Sequence, residues 1–394
     1  MSTRVLLLMI PFLFTGFNSY AGTVAASSCS KSDIETAIFS ANTGDTVTVP
    51  AGDCIWTSTV TLSKEITLQG AGIDQTVIHQ CGFRVSNGTD NIRITGFTFD
   101  GAGQSVGIKF GSGGGSGSKD FRIDHCKFTD YATRAIDCDG YNDGVIDHCQ
   151  FVDVLGEGIV IHGDRDDAWS RPHVLGGSDG VVFIEDCTFA LTGSGDASNV
   201  LDSNSGARWV FRYNTVTDNA NAKWSRALEC HGHCYLPPRG TVSYEIYENT
   251  FTSNTDEWKQ MFCCRGGGGV VYRNTLTGRW HQGVQMKNYR STPFCSSECI
   301  NCDTRCCGEN DYPCQDQIGV NDNLDLYIWD NINDGDAITV TMDSTGYTSI
   351  HIQENREYFL SQKSGYTPYE YPHPLTKKLS APSKLRVVSV TPTP

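Results

Sequence analysis

The chain has 394 residues with 41 Gly, 39% hydrophobic and 19% charged residues, too apolar for a disordered polymer and too interrupted for a membrane bundle. Its 30 Lys and Arg stand against 45 Asp and Glu, and the net charge of −15 disfavours nonspecific nucleic-acid binding. A polyanionic substrate would need a local basic patch, and a turn-rich chain of this length has to be searched for repeats.

Arg4 precedes the apolar run Val5 to Phe14, and Ser19-Tyr20-Ala21 puts small residues where a signal peptidase reads. Residues 1–21 are expected to be a secretory signal, with an uncleaved anchor as the competing reading. The mature protein is then extracellular, periplasmic or on the cell surface, and free of the membrane. All 17 cysteines follow that segment and read first as disulfides. Next, Ser32-Asp33-Ile34-Glu35 forms a capping box, and Ile34, Ala37, Ile38 and Ala41 share one face, which predicts a capping helix over 32–42. Segments 44–50 and 66–70 read as the first strands, and Cys29 and Cys54 are placed to staple the cap to them.

From residue 92 a pattern recurs: β-prone residues, a polar pair, Cys or Asn, one residue, then an apolar one. Copies end in Cys126-Lys127-Phe128, Cys149-Gln150-Phe151, Cys187-Thr188-Phe189, Asn214-Thr215-Val216, Asn249-Thr250-Phe251 and Asn274-Thr275-Leu276, with a looser one at Asn331. The runs are too short for helices and are punctuated by Gly, Asn and Asp, so each copy is one coil of short strands. Coils of this kind stack strand on strand in parallel, ~4.8 Å apart, around one interior. The Cys and Asn share a column, a structural one turned into the bend. Cys295, Cys299, Cys302, Cys306, Cys307 and Cys314 fall in an insertion over 291–317 that reads as a disulfide-stapled loop, with zinc as the alternative.

The capping helix, GDTVTVPAG, ITLQGAG and strands ending in Asn-Thr-Phe resemble the pectate-lyase-like right-handed parallel β-helix proteins of bacterial secretomes. Asp311 to Gly319 and Gly365 to Leu375 resemble a largely uncharacterised branch of them. The resemblance implies an all-β solenoid of roughly eight to ten coils over 22–375, monomeric, with a linker or tail over 376–394. It also implies polysaccharide as the partner. Proteins of this shape include uronate lyases, glycoside hydrolases and noncatalytic adhesins or surface fibres, so the site must come from residues.

A second strand per coil aligns on the turn residue after it. Period two points Ile136 and Cys138, Ile159 and Ile161, Leu228 and Cys230, Phe262 and Cys264, Val284 and Met286 inward. The outward residues form two columns. The first is Asp137, Val160, Asp202, Glu229, Cys263 and Gln285; the second is Asp139, His162, Asn204, His231, Arg265 and Lys287. They form a candidate groove whose polarity is expected to run from acidic to basic, ending at Arg265 and Lys287 with Arg273, Arg279 and Arg290 nearby in sequence. Eliminative cleavage of a uronate needs its carboxylate neutralised, a base, and a proton for the leaving group. In the resembling lyases the base is commonly Lys or Arg and the neutraliser often Ca²⁺. The expected roles are Arg265 or Lys287 as base or clamp, His231 as proton donor, and Glu229 or Asp202 orienting them. Asp202, Asn204, His162, Asp137, Asp139 and Arg290 would contact the sugar chain. The competing readings are an ordinary solvated polar face and a hydrolase using Asp137 with Asp202 or Glu229. Asp164, Asp166 and Asp167 are a further candidate for a hard cation such as Ca²⁺.

Overall fold

A computed structural model describes residues 21–103, 106–232, 240–257, 259–287, 318–319, 325–344 and 348–377. The Cys-rich insertion over 291–317, residues 1–20 of the expected signal over 1–21 and residues 378–394 of the expected tail over 376–394 lie outside the described residues. Three long sheets run the length of the molecule, of 12, 11 and 10 strands among the described residues. We number them 1, 2 and 3 in the order each coil visits them. One coil reads Phe121–Asp124 in sheet 1, Lys127–Thr129 in sheet 2 and Arg134–Asp139 in sheet 3. Every strand pairs in parallel with its counterparts in the next coils, except the terminal antiparallel pair Ile332–Asn333 with Asp336–Ala337. Parallel crossovers of this kind take the right-handed sense, and the molecule is a right-handed parallel β-helix.

The recurring sequence pattern is the bend from sheet 1 to sheet 2. The second residue of each polar pair takes a left-handed backbone: His125, His148, Asp186, Tyr213, Glu248, Arg273 and Asp330 have φ between 50 and 56°. Non-glycine residues there cost about 1–2 kcal/mol, and the following column offsets it. Asn214, Asn249 and Asn274 donate through Nδ2 to Oδ1 of the next Asn, at 3.1, 2.9 and 2.8 Å, ending on Asn331. The same amides donate to the carbonyls of Ile184, Phe211 and Ile246. Cys126, Cys149 and Cys187 fill the column in earlier coils as buried thiols. Inside, Phe99, Phe128, Phe151 and Phe189 stack at centroid spacings of 5.2, 5.0 and 4.5 Å.

The capping helix spans Lys31–Ser40, slightly earlier than predicted, because Ser30 and not Ser32 accepts the Asp33 N–H, at 3.2 Å. Ile34, Ala37 and Ile38 are its buried face, and a Cys29–Cys54 disulfide ties it to the first strand of sheet 2. The expectation that cysteines are mainly disulfides does not hold for the described part. Eight described cysteines are thiols, seven of them buried; all of the buried ones except Cys263 occupy inward positions that suit a small apolar group.

The segment Gly365 to Leu375 is a strap. It starts beyond the last strand of sheet 1, Tyr358–Phe359, and runs back over that sheet's outer face. Tyr366 bonds Glu245, the Tyr369 and Glu370 carbonyls accept from Arg212 at 2.8 Å, the His373 N–H meets Glu185 at 2.8 Å, and Leu375 reaches Arg122. Beneath it lie the fully buried Arg212–Glu185 pair and a second apolar cluster of Val145, Phe183, Val210, Tyr247, Val270 and Tyr272.

Candidate functional site

Sheet 3 carries the two columns in the register read from the sequence. Asp137 pairs with Val160, Val160 with Asp202, Asp202 with Glu229, Glu229 with Cys263, and Cys263 with Gln285. Asp139, His162 and Asn204 are likewise in register, and the ladder continues through the N–H groups of His231, Arg265 and Lys287.

On three consecutive coils these columns bring together Asp202, Glu229, His231 and Arg265. The ligand atoms of Asp202, Glu229 and His231 all lie within 4.8 Å of one another, the only such group of three or more Asp, Glu, His or Cys among the described residues. His231 Nε2 is 3.2 Å from Asp202 Oδ1, and both side chains are one-fifth exposed. Arg265 pairs with Glu229 Oε1, while Oε2 of the same carboxylate accepts from Asn199 at 3.0 Å and Arg226 at 3.3 Å.

Other predicted residues are placed differently. Asp137 is only 1% exposed and is clamped by Lys109 at 2.8 Å and Arg134 at 3.1 Å. With its carboxylate buried and held by both cations, it is not free to contact a sugar or to act as an acid or base. Cys263 is buried, and burial pushes its thiol up to about 12. Asp139 accepts the N–H groups of Gly113 and Gly114, at 2.5 and 2.9 Å, and anchors that glycine loop. Asn204 caps the following turn at Ser205 N. Burial holds His162 below the usual imidazole range. Lys287 turns to Asp343, at 3.2 Å, away from the cluster. Arg273 and Arg279, near the basic end in sequence, pair with Glu248 and Asp256. Asp164 is buried against Arg171, which removes it from the proposed cation loop; Asp167 is exposed. Arg290 and the Asp166 side chain lie outside the described part.

A third polar column was missed. Arg134, Glu157, Asn199, Arg226, Gln260 and Gln282 begin the sheet 3 strands and lie in register. Strict alternation would turn them inward, but Arg134, Asn199, Arg226 and Gln260 reach first-column residues, as Arg226 does to Glu229 and Gln260 does to Gln285. Beneath them Asp137 and Glu229 of the first column are buried. The signal was readable: a polar residue stands three positions before every member of that column. Glu157 is its titrating member. Burial raises it first and Asp202 adds to that, against Arg134, and the net direction is up.

The expected acidic-to-basic gradient is also corrected, because sheet 3 continues upstream of Asp137 through Lys109 and Arg84. Nor does the converged donor set fit Ca²⁺, which takes six to eight oxygens. Here one donor is an imidazole, and Glu229 is already engaged by Asn199, Arg226 and Arg265.

No protein-family model matches the chain, and no curated protein is similar to it. Among solved structures it is similar to an alginate lyase from Paenibacillus sp. strain FPU-7, at 12% identity and TM-score 0.47, covering 82% of this chain and 98% of that one. It is also similar to a tailspike protein of E. coli bacteriophage HK620 in complex with a pentasaccharide, at 14% identity and TM-score 0.44. That match covers 75% of this chain but only 52% of the tailspike, about half its length. A third is the catalytic unit of a GH87 alpha-1,3-glucanase from Streptomyces thermodiastaticus, at 12% identity and TM-score 0.42, covering 83% of this chain and 69% of that one.

Proposed function

We propose that the protein acts on polysaccharide along the outer face of sheet 3, and that it cleaves an acidic glycan by β-elimination. The reading rests on the convergence of Asp202, Glu229, His231 and Arg265 on three successive coils. Arg265, bound to Glu229, keeps its charge and serves as a clamp for the uronate carboxylate rather than as the base. With that carboxylate neutralised, the neighbouring carbon acid loses its proton more easily. His231, oriented by Asp202, takes that proton; the electron pair forms the new C=C bond and expels the glycosidic oxygen. Glu157, one coil from Asp202 and two from His231 and protonated more readily than an ordinary glutamate, is the group suited to protonate the leaving oxygen. Each step uses this chain's residues alone.

A second reading has its own support. A carboxyl raised by burial beside Asp202 is the arrangement that lets one acid stay protonated while the other ionises, and Glu157 with Asp202 would then hydrolyse a glycosidic bond. Alginate, pectate, glucuronan and glycosaminoglycans are to be followed by the ultraviolet absorbance of the unsaturated product, and neutral glycans by new reducing ends. Elimination predicts an absorbing product, and His231→Ala lowers its rate by about 10²–10⁴-fold. Reducing ends without absorbance would favour hydrolysis. Silence in both assays would leave a binding or surface-fibre protein.

A further inference from the structure

Toward the N-terminal end of sheet 3 the outer face changes character. The register sets Arg84 beside Lys109 and Lys109 beside Asp137. Lys109 and Arg134 share the buried Asp137 carboxylate, whose Oδ1 is left without a hydrogen bond. Arg84 is exposed, and among the described residues no carboxylate pairs with it. Like charges directly opposite on neighbouring strands destabilise the pair, and no acid separates Arg84 from Lys109. Three cations thus face two carboxylates, Asp137 and Glu157, in a chain whose net charge is −15. An anion from outside would relieve that repulsion. Arg84 lies four coils from Asp202 in the order of the sheet, about 19 Å at roughly 4.8 Å per coil. A chain lying along the axis therefore meets Arg84 and Lys109 several sugar units from the reacting bond.

We infer that Arg84 and Lys109 form a remote anion subsite that takes the acid groups of a long glycan, an inference that rests on reading sheet 3 as the glycan face. The recognised chemistry is an anionic substituent repeated along a sugar chain, carboxylate or sulfate ester. Arg84 is the position to test, because its exposed, unpaired side chain can be removed without leaving a buried charge.

Binding is measured by titration calorimetry in the His231→Ala background, with short and long oligogalacturonides, heparin oligosaccharides of matching length, and neutral cello-oligosaccharides. Arg84→Ala is expected to weaken long acidic chains about fivefold, and Arg84→Glu more than about tenfold. Short and neutral chains are unchanged, and the loss shrinks as salt is raised. Dependence on Arg84 with oligogalacturonide or with heparin fragments identifies the acid group. Unchanged binding of long chains by both variants overturns the inference, and so does an equal loss with short chains, which would put Arg84 at the centre. Wild-type protein that yields no unsaturated product while the Arg84 dependence persists sinks the elimination reading and leaves this one standing.

Discussion

Asp202 and His231 are the pair on which the proposed chemistry turns, and they meet across neighbouring coils. Asp202 Oδ1 also accepts the Ser203 N–H at 2.7 Å, so the carboxylate is fixed before it meets the imidazole one coil away. Asp202→Asn keeps that shape but replaces the charge. Its kcat is expected to fall about 10–100-fold with KM little changed, and its pH–rate profile to shift, as steady-state rates on the active substrate will show. Asn274 is a structural counterpart: it accepts from Asn249 and donates to Asn331 and two carbonyls. Asn274→Ala leaves buried groups unpaired and should cost about 1–3 kcal/mol in chemical denaturation. Strand periodicity made both columns legible at this scale. The burial of Glu229 and Asp137 was not, because it depends on Arg226 and Arg134 folding back over them from the strand starts. A strand template that assigns sides by alternation sends those arginines to the core.

Among the elements, the strap shows where local pattern ends. Its sequence stands out, yet nothing in a ladder of repeats tells that Gly365 to Leu375 must lie across sheet 1. The match is made by buried arginines and glutamates whose partners are 121 to 254 residues away. The inner sides of the strands alternate predictably, whereas the outer side of sheet 1 carries Phe183, Val210, Tyr247 and Val270, apolar residues with no reason to face water until the strap is placed. Truncation before Gly365 would expose that cluster and take the His373 N–H from Glu185 and the Tyr366 hydroxyl from Glu245. The truncated protein should melt several degrees lower and bind a hydrophobic dye that the full chain does not. The capping helix was legible except for its first turn, where Ser30 takes the place expected of Ser32 by its bond to Asp33 N.

For the molecule as a whole, stacking neighbours alone would make stability a sum over coils, and the charged rows under the strap couple several of them. Asp124 belongs to this system. Burial raises its carboxyl, but Arg93, Arg122 and His125 outweigh burial and hold it below the usual range. A depressed folded-state pKa adds stability above the unfolded value and loses it as pH falls through the folded one. The urea midpoint should therefore drop as pH falls below the ordinary carboxylate value of about 3.9. Asp124→Asn, less stable at neutrality, should show a shallower drop.

The strap also sets where the described chain leaves the solenoid. Leu375 and Thr376 lie against Arg122, so the last described residues sit on the flank, several coils back from the final strand of sheet 1. A tether attached at Lys377 would not pull along the stacking axis. It would peel the strap from Arg122 toward Tyr358, breaking contacts one row at a time instead of shearing them together. Force–extension traces drawn from that point should open with a low-force sawtooth as the strap detaches, before any coil unravels.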